Sequence, residues 1–270
     1  MADVMTMSYS RFALYETCPR AYYYHHVVKL PEIPKWYFSF GHTIHAVLEA
    51  AVRPLIETPG AQLMSKQDML DVYSEDWERG GFESQEQEWS YFALGKEMLL
   101  KWRDKFVVDA PRVFQVEQNL WANHDGIRLH GILDRADLMQ DGSLRVVDYK
   151  TTAKMSQADV LKSDQLTFYQ ALAQANFQVP VTALQLFDMR RTTVYETHAR
   201  SIEQIEALMQ RVTKVVAGIR EKQFPPIKGR ECWRCDWKPI CPAWGGKFMQ
   251  PGEERPLMEA LAGAPPGGDG

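Results

Sequence analysis

Apolar residues recur along the chain with two different periods, and the switch between them divides it. Near the N-terminus, Ser8 or Ser10 is placed to cap a short helix through RFALYET, which the Cys18-Pro19 pair would end. An aromatic run, AYYYHHVVKL, and a turn around Pro31 and Pro34 follow. Gly41 then opens HTIHAVLEAAV, where Ile44, Val47, Leu48 and Ala51 fall at helical spacing. From about 54 to 110 the segments QDMLDVYSEDW and EWSYFALGKEMLLKWRDKF keep a helical stripe. The period then drops to two. VFQVEQNLWAN, IRLHGILDRADLM and LRVVDYKT alternate apolar and polar residues, with Asp125-Gly126 and Asp141-Gly142 as hairpin turns, which predicts three antiparallel strands. A helix is expected over SQADVLKSDQLTFYQALAQANF, then strands at TALQLFDMR and TVYETHA, then a helix over SIEQIEALMQRVTKVVAGIREK. The Cys-rich segment ECWRCDWKPICPAW follows, and the tail 251–270, ending GAPPGGDG, reads as unstructured. This order predicts an α/β fold: a mixed sheet flanked by helices, with a helical insertion over about 54–110.

The chemistry concentrates in GILDRADLMQDGSLRVVDYKTT. Asp134 ends one apolar strand, and Asp148 lies on the next across the Asp141-Gly142 turn. Lys150, two residues on, projects from the same strand face as Asp148. Isolated D-x-K triplets are common surface features, but here the charges follow LRVV, so they emerge where the strand is buried. Buried charges need partners or a metal. Two carboxylates and a lysine are what metal-dependent phosphodiester cleavage requires: hard oxygens for a divalent ion, and a cation to orient water or offset charge on the phosphate. Glu117, on the preceding strand, either assists such an ion or faces solvent. Arg135 is placed to pair with a carboxylate or a phosphate.

Four cysteines, Cys18, Cys232, Cys235 and Cys241, include a C-x₂-C-x₅-C run. Four thiolates suit a structural zinc or a [4Fe–4S] cluster, and the spacing leaves both open. Trp233, Trp237 and Trp244 are expected to wall this site. The tyrosines of Arg20-Ala-Tyr-Tyr-Tyr either stack unpaired bases or fill the core beside Cys18.

Composition narrows the class. With 31 Lys plus Arg against 35 Asp plus Glu, the net charge of −4 excludes a polycation that coats nucleic acid by bulk charge. Arg11, Arg20, Lys154, Arg190 and Arg191 are the residues expected to follow phosphates locally. The uncharged stretch from Gln165 to Phe187 carries five glutamines, Asn176 and Pro180, too polar for a bilayer helix. The opening MADVMTMSYS lacks the pattern of a signal peptide, so a cytoplasmic, reducing compartment is expected, where cysteines hold metal more readily than they form disulfides.

Taken together, GHTIH, GILDRAD, VVDYKTT, QLTFY and the cysteines at both ends resemble the RecB-type nucleases of the PD-(D/E)XK superfamily, over most of residues 7–245. The resemblance implies a restriction-endonuclease-like core within a nuclease domain spanning 1–250. It implies that His45, Asp134 and Asp148 bind Mg²⁺ or Mn²⁺, that Lys150 is catalytic, and that Gln165 and Tyr169 position the substrate. His42, one turn before His45, lies off the motif. Branches acting in CRISPR adaptation, and AddB-like ones, carry one cysteine before the core and three after it. That implies a [4Fe–4S] clasp formed by Cys18 with Cys232, Cys235 and Cys241, with zinc as the alternative. The expected activity is a DNA exonuclease on single strands or DNA ends in repair or recombination. The alternatives are a CRISPR-adaptation nuclease or helicase-linked nuclease working in an assembly, and a non-catalytic nucleic-acid-binding protein.

Overall fold

The computed structural model describes residues 4–151 and 154–246. The expected unstructured tail lies outside them, as does Thr152 of the VVDYKTT segment. The chain forms two compact units, one from residues up to 33, 125–127 and 209 onward, the other from 34–124 and 128–208.

The smaller unit begins with a short strand, Thr6–Ser8 (β1), and a helix, Tyr9–Thr17 (α1). Ser8 caps α1 by accepting from the Arg11 N–H. Cys18, in extended conformation, ends it, and Pro19 sits at the first position of the next helix, Pro19–Tyr22 (α2), where its missing N–H costs nothing. The aromatic run does not become a loop. It continues as a π-helical turn, Tyr23–Val28, closed by left-handed Lys29. Tyr22, Tyr23 and Tyr24 are all buried, Tyr24 with its hydroxyl toward the Ile240 carbonyl. Of the two readings of these tyrosines, the core is the one found; they are not available to stack bases.

The larger unit carries the sheet. Trp36–Glu57 (α3) starts five residues before the expected Gly41, because Phe40 extends the buried stripe of Ile44, Val47, Leu48, Ala51 and Val52 backwards, and Trp36 packs on Tyr91. Lys66–Glu75 (α4) and Gln85–Asp109 (α5), both capped by serine, occupy the expected helical segment. The strands follow as Val113–His124 (β2), Ile127–Leu138 (β3) and Leu144–Lys150 (β4). Gln157–Lys162 (α6) and Asp164–Phe177 (α7) replace the single helix expected over 156–177. The break falls at Ser163, whose hydroxyl caps α7 at the Leu166 N–H, a local bond that competes with helix continuation. Val181–Asp188 (β5) and Thr193–His198 (β6) complete the sheet, and Ile202–Arg220 (α8) leads out of the unit.

Within this unit β2 pairs with β3, and the order continues β3-β4-β5-β6. β3 and β4 are antiparallel, β4 and β5 parallel, β5 and β6 antiparallel, so the sheet is mixed. The parallel pair is the buried centre, and its strands accordingly read as nearly continuous apolar runs. One face, through Val147, Tyr149 and Phe187, joins a core with α3, α4 and α5.

Candidate active site

Strand alternation sorts the charges of β3 and β4 between two faces. With Arg135 opposite Val147, the antiparallel register sets Asp134 opposite Asp148 one step further on. Arg135, Asp137 and Tyr149 turn the other way. There Arg135 donates to Tyr149 Oη and to Asp137 Oδ2 at 3.1 Å, and Arg145, the cross-strand partner of Asp137, lies 3.0 Å from the same oxygen. Arg135 is thus committed to a buried ion network rather than to a phosphate.

On the first face, two linked groups form. His45, from α3, places Nδ1 3.3 Å from Glu117 Oε1 and 3.7 Å from Asp134 Oδ2. One ligand atom from each of these three residues lies within 4.8 Å of the others, and Asp134 Oδ2 also accepts the Tyr149 N–H at 2.8 Å. Beside them, Asp148 Oδ2 stands 2.7 Å from Lys150 Nζ. The ammonium donates to Gln165 Oε1 at 2.7 Å, and Gln165 Nε2 donates to Tyr169 Oη at 3.3 Å. Gln165 and Tyr169, one turn apart on α7, therefore meet Lys150 directly.

The electrostatics report crowded negative charge. Burial alone would depress the His45 imidazole, but Asp134, the hydrogen bond to Glu117 and Asp148 together raise it. Burial pushes Asp134 up; His45 opposes this, while Asp148 and Glu117 push further in the same direction. Tyr169 is raised by burial and by the charges of Asp134 and Asp148, so its hydroxyl stays a donor. Two carboxylates and an imidazole with a third carboxylate alongside fit a divalent ion. Octahedral ligands about 2.1 Å from Mg²⁺ stand about 3–4.2 Å apart, little less than the span found here.

Glu117 joins His45 and Asp134 in that tightest group, whereas Asp148 stands next to it, held by Lys150. A signal for Glu117 was present in the sequence. A two-residue Asp125-Gly126 turn pairs residue 124 with 127, and counting back pairs 117 with 134. His42 is outside the group, exposed and 3.6 Å from Glu78. Of the residues expected to follow phosphates, Arg190 donates to the Thr151 carbonyl and Arg191 pairs with Asp188, while Lys154 is exposed. Arg11 and Arg20 belong to the smaller unit, where Arg11 donates to the Thr6 carbonyl and Arg20 lies over the rings of Tyr23 and Tyr24.

The sequence profile of the PD-(D/E)XK nuclease superfamily matches residues 6–242. The chain belongs to this superfamily. A solved structure from Eubacterium rectale, described as a "putative exonuclease", shares the PD-(D/E)XK chain's fold with a TM-score of 0.53, covering 96% of this chain and 94% of its own at 11% identity. A second, SSO0001, covers 90% and 88% at 15% identity, but its TM-score of 0.43 is too low to bear on the fold. No curated protein matches the sequence. Among the described residues, no helix is long and apolar enough to cross a membrane.

Gly131 on β3 sets how closely α7 approaches the sheet of this PD-(D/E)XK nuclease. A Cβ there would lie 2.8 Å from Leu172 Cδ1 and 3.0 Å from Tyr169 Cε1. Gly131→Ala is expected to cost about 1–3 kcal/mol by overpacking and to displace Tyr169. A urea midpoint equal to that of the parent would contradict this contact.

In the smaller unit the four cysteines are half-buried and unpaired by disulfides. Cys18 and Cys235 pack at the edge of a core of Ala21, Tyr23, Tyr24, Leu30, Trp237 and Ile240. Burial, and then the charges of Cys18 and Cys241, push the Cys235 thiol up. The Gly229 N–H, with Trp244, Lys238 and Lys228, pulls the Cys232 thiol down. Cys18 Sγ accepts the Ile227 N–H and Cys232 Sγ the Gly229 N–H, both at 3.4 Å. Among the described residues no three of these sulfurs come within 4.8 Å of one another. The expected tryptophan wall is reduced to Trp237; Trp233 and Trp244 are exposed, each beneath a basic side chain.

Proposed function

We propose that this chain is a RecB-type, Mg²⁺- or Mn²⁺-dependent deoxyribonuclease that degrades single strands or DNA from its ends. The observation that carries the reading is the meeting of the His45–Glu117–Asp134 group with the Asp148–Lys150–Gln165–Tyr169 chain of contacts. His45, Glu117, Asp134 and Asp148 would hold the ion, which when bound supplies Lewis acidity to the phosphate and to water. Asp148 and Gln165 fix the position of Lys150 Nζ, which is then poised to offset charge developing on a phosphate oxygen. Tyr169, protonated, holds Gln165 in register with that ammonium.

The test uses end-labelled linear single strands and closed circular ones, with Mg²⁺, Mn²⁺ or a chelator. The expected result is stepwise loss of the linear strand with metal, none with chelator, and resistant circles. Circles cut as fast as linear DNA would overturn the exonucleolytic reading; no cleavage with either metal would overturn the nuclease.

The same proposal assigns Cys18, Cys232, Cys235 and Cys241 to a [4Fe–4S] cluster with a structural role. A single zinc draws four sulfurs at about 2.3 Å to within about 3.8 Å of one another, whereas each cluster thiolate binds its own iron, so its ligands stand further apart. The reading is supported by the order of the cysteines, one before the nuclease core and three after it, which the RecB-type resemblance associates with a cluster. Protein purified without air is expected to be brown and to carry about four irons. A colourless preparation with one zinc per chain would replace the cluster by zinc.

A further inference from the structure

The β2–β3 ribbon leaves one face uncovered beyond the metal-binding group. Counting from the Asp125-Gly126 turn pairs Trp121 with His130 and Asn119 with Ile132 on that face, and the Trp121 and His130 rings stack 4.0 Å apart in agreement with the count. Glu117, whose φ of 42° breaks the regular alternation, and Asp134 follow at the inner end of the same two strands. Arg128 places its guanidinium 4.3 Å from the centre of the Trp121 ring, and His130 Nε2 lies 3.1 Å from Asn119 Oδ1. The Trp121 carbonyl is held by Asn176 from α7 at 2.9 Å, so the strand bearing the indole is anchored from the helix.

On this ledge Asn119, Trp121, Arg128 and Ile132 are exposed, Trp121 and Ile132 by 41% and 43%. Between the Glu117–Asp134 pair and the Arg128 end, this face carries no carboxylate. In a chain with a net charge of −4, an acid-free strip with a cation, stacked rings and amide groups selects for an anion with flat, stackable parts. Four residues of strand separate Trp121 from Glu117 and His130 from Asp134, about 13 Å at the strand rise. That is a run of a few nucleotides, with its inner end at the metal-binding residues.

We propose that this ledge is the substrate track for a single nucleic-acid strand. The Arg128–Trp121–His130 stack is extended by an unpaired base, Arg128 also meets a phosphate, and the strand runs inward past Ile132 and Asn119 to Asp134. A duplex keeps its bases stacked on one another and offers no free face to the rings, so the track discriminates against intact duplex. The proposal rests on the nuclease reading for its direction, but not for its contacts.

The experiment measures binding of a fluorescein-labelled oligothymidylate and of a blunt duplex to the full chain in chelator, where no cleavage occurs. Trp121→Ala is expected to weaken single-strand binding about tenfold, and Trp121→Phe to restore most of it. Arg128→Ala is expected to weaken it less and to lower the slope of log K against log salt by about one. Duplex affinity should change little in all three. With metal, Trp121→Ala should raise KM while leaving kcat near that of the parent, because the indole does not touch the reacting phosphate. Thermal unfolding checks that the variants are folded, and Arg128→Glu, a change at an exposed site, serves if Trp121→Ala is not. Unchanged oligothymidylate affinity in both Trp121→Ala and Arg128→Glu would overturn the track. Equal losses for duplex and single strand would overturn its selectivity. Absence of cleavage by the parent, with these binding losses intact, would refute the nuclease reading and leave the track standing.

Discussion

Asp134→Ala is expected to lower cleavage by on the order of 10²-fold or more while the fold survives. Asp134 contributes to the site in two ways: it sits within 4.8 Å of both His45 and Glu117, and its Oδ2 accepts the Tyr149 N–H. Removing it takes away a hard oxygen ligand and leaves His45 with Glu117 3.3 Å away and Asp148 beyond it. Lys150→Ala is expected to cost a similar factor in kcat but to leave metal affinity largely intact, because Lys150 belongs to the neighbouring Asp148–Gln165 contacts. Calorimetric Mn²⁺ titration beside single-turnover cleavage separates the two. Undiminished cleavage by purified Asp134→Ala, or by Lys150→Ala, would remove that residue from the site.

The second large effect concerns stability rather than chemistry. Asp137 is fully buried on the opposite face of the sheet, where it is the shared counter-ion of Arg135 and Arg145. Arg135 is buried as well, and in Asp137→Ala it would keep its charge with the Tyr149 hydroxyl and the rings of Tyr149 and Phe106 beside it but no counter-ion from Asp137. Breaking a buried pair from one side costs about 3–5 kcal/mol, because the remaining charge stays desolvated. Chemical denaturation should show a loss of that size, and replacing Arg135 and Asp137 together by apolar residues of similar volume should recover much of it. A loss below about 1 kcal/mol would mean that water reaches Arg135 in the folded protein.

How far the sequence carried depended on whether a feature was local. The emergence of Asp148 and Lys150 from LRVV was legible because a strand buried on both faces leaves charge nowhere to go without a partner. The spacing of Gln165 and Tyr169 was legible because helical periodicity alone puts them on one side. Glu117 was legible in principle, through the count across the Asp125-Gly126 turn, but its residue type alone said nothing. The early start of α3 and the break at Ser163 turned on tertiary burial of Phe40 and on a single cap, which periodicity does not weigh. The tyrosines after Arg20 needed Trp237 and Ile240, more than 200 residues away, to be recognised as core. Arg135 was open to a carboxylate or a phosphate partner until Asp137, shared with Arg145 across the register, settled it as the former.

That last separation along the chain bears on synthesis. The core of the smaller unit joins residues 21–30 to residues 237–240, so each contact between the two segments closes a loop of about 200 residues. A ribosome delivers residues 34–208 before Trp237, and those supply their own core from α3, α4, α5 and the sheet. The tyrosine run is made before all of these, yet Trp237 and Ile240, which complete its core, emerge more than 200 residues later. Folding of the two units is therefore ordered in time by the direction of translation, with the larger one able to set first. The tyrosines wait while more than 200 residues are added, and Cys18 is separated from Cys232, Cys235 and Cys241 by a similar interval of synthesis.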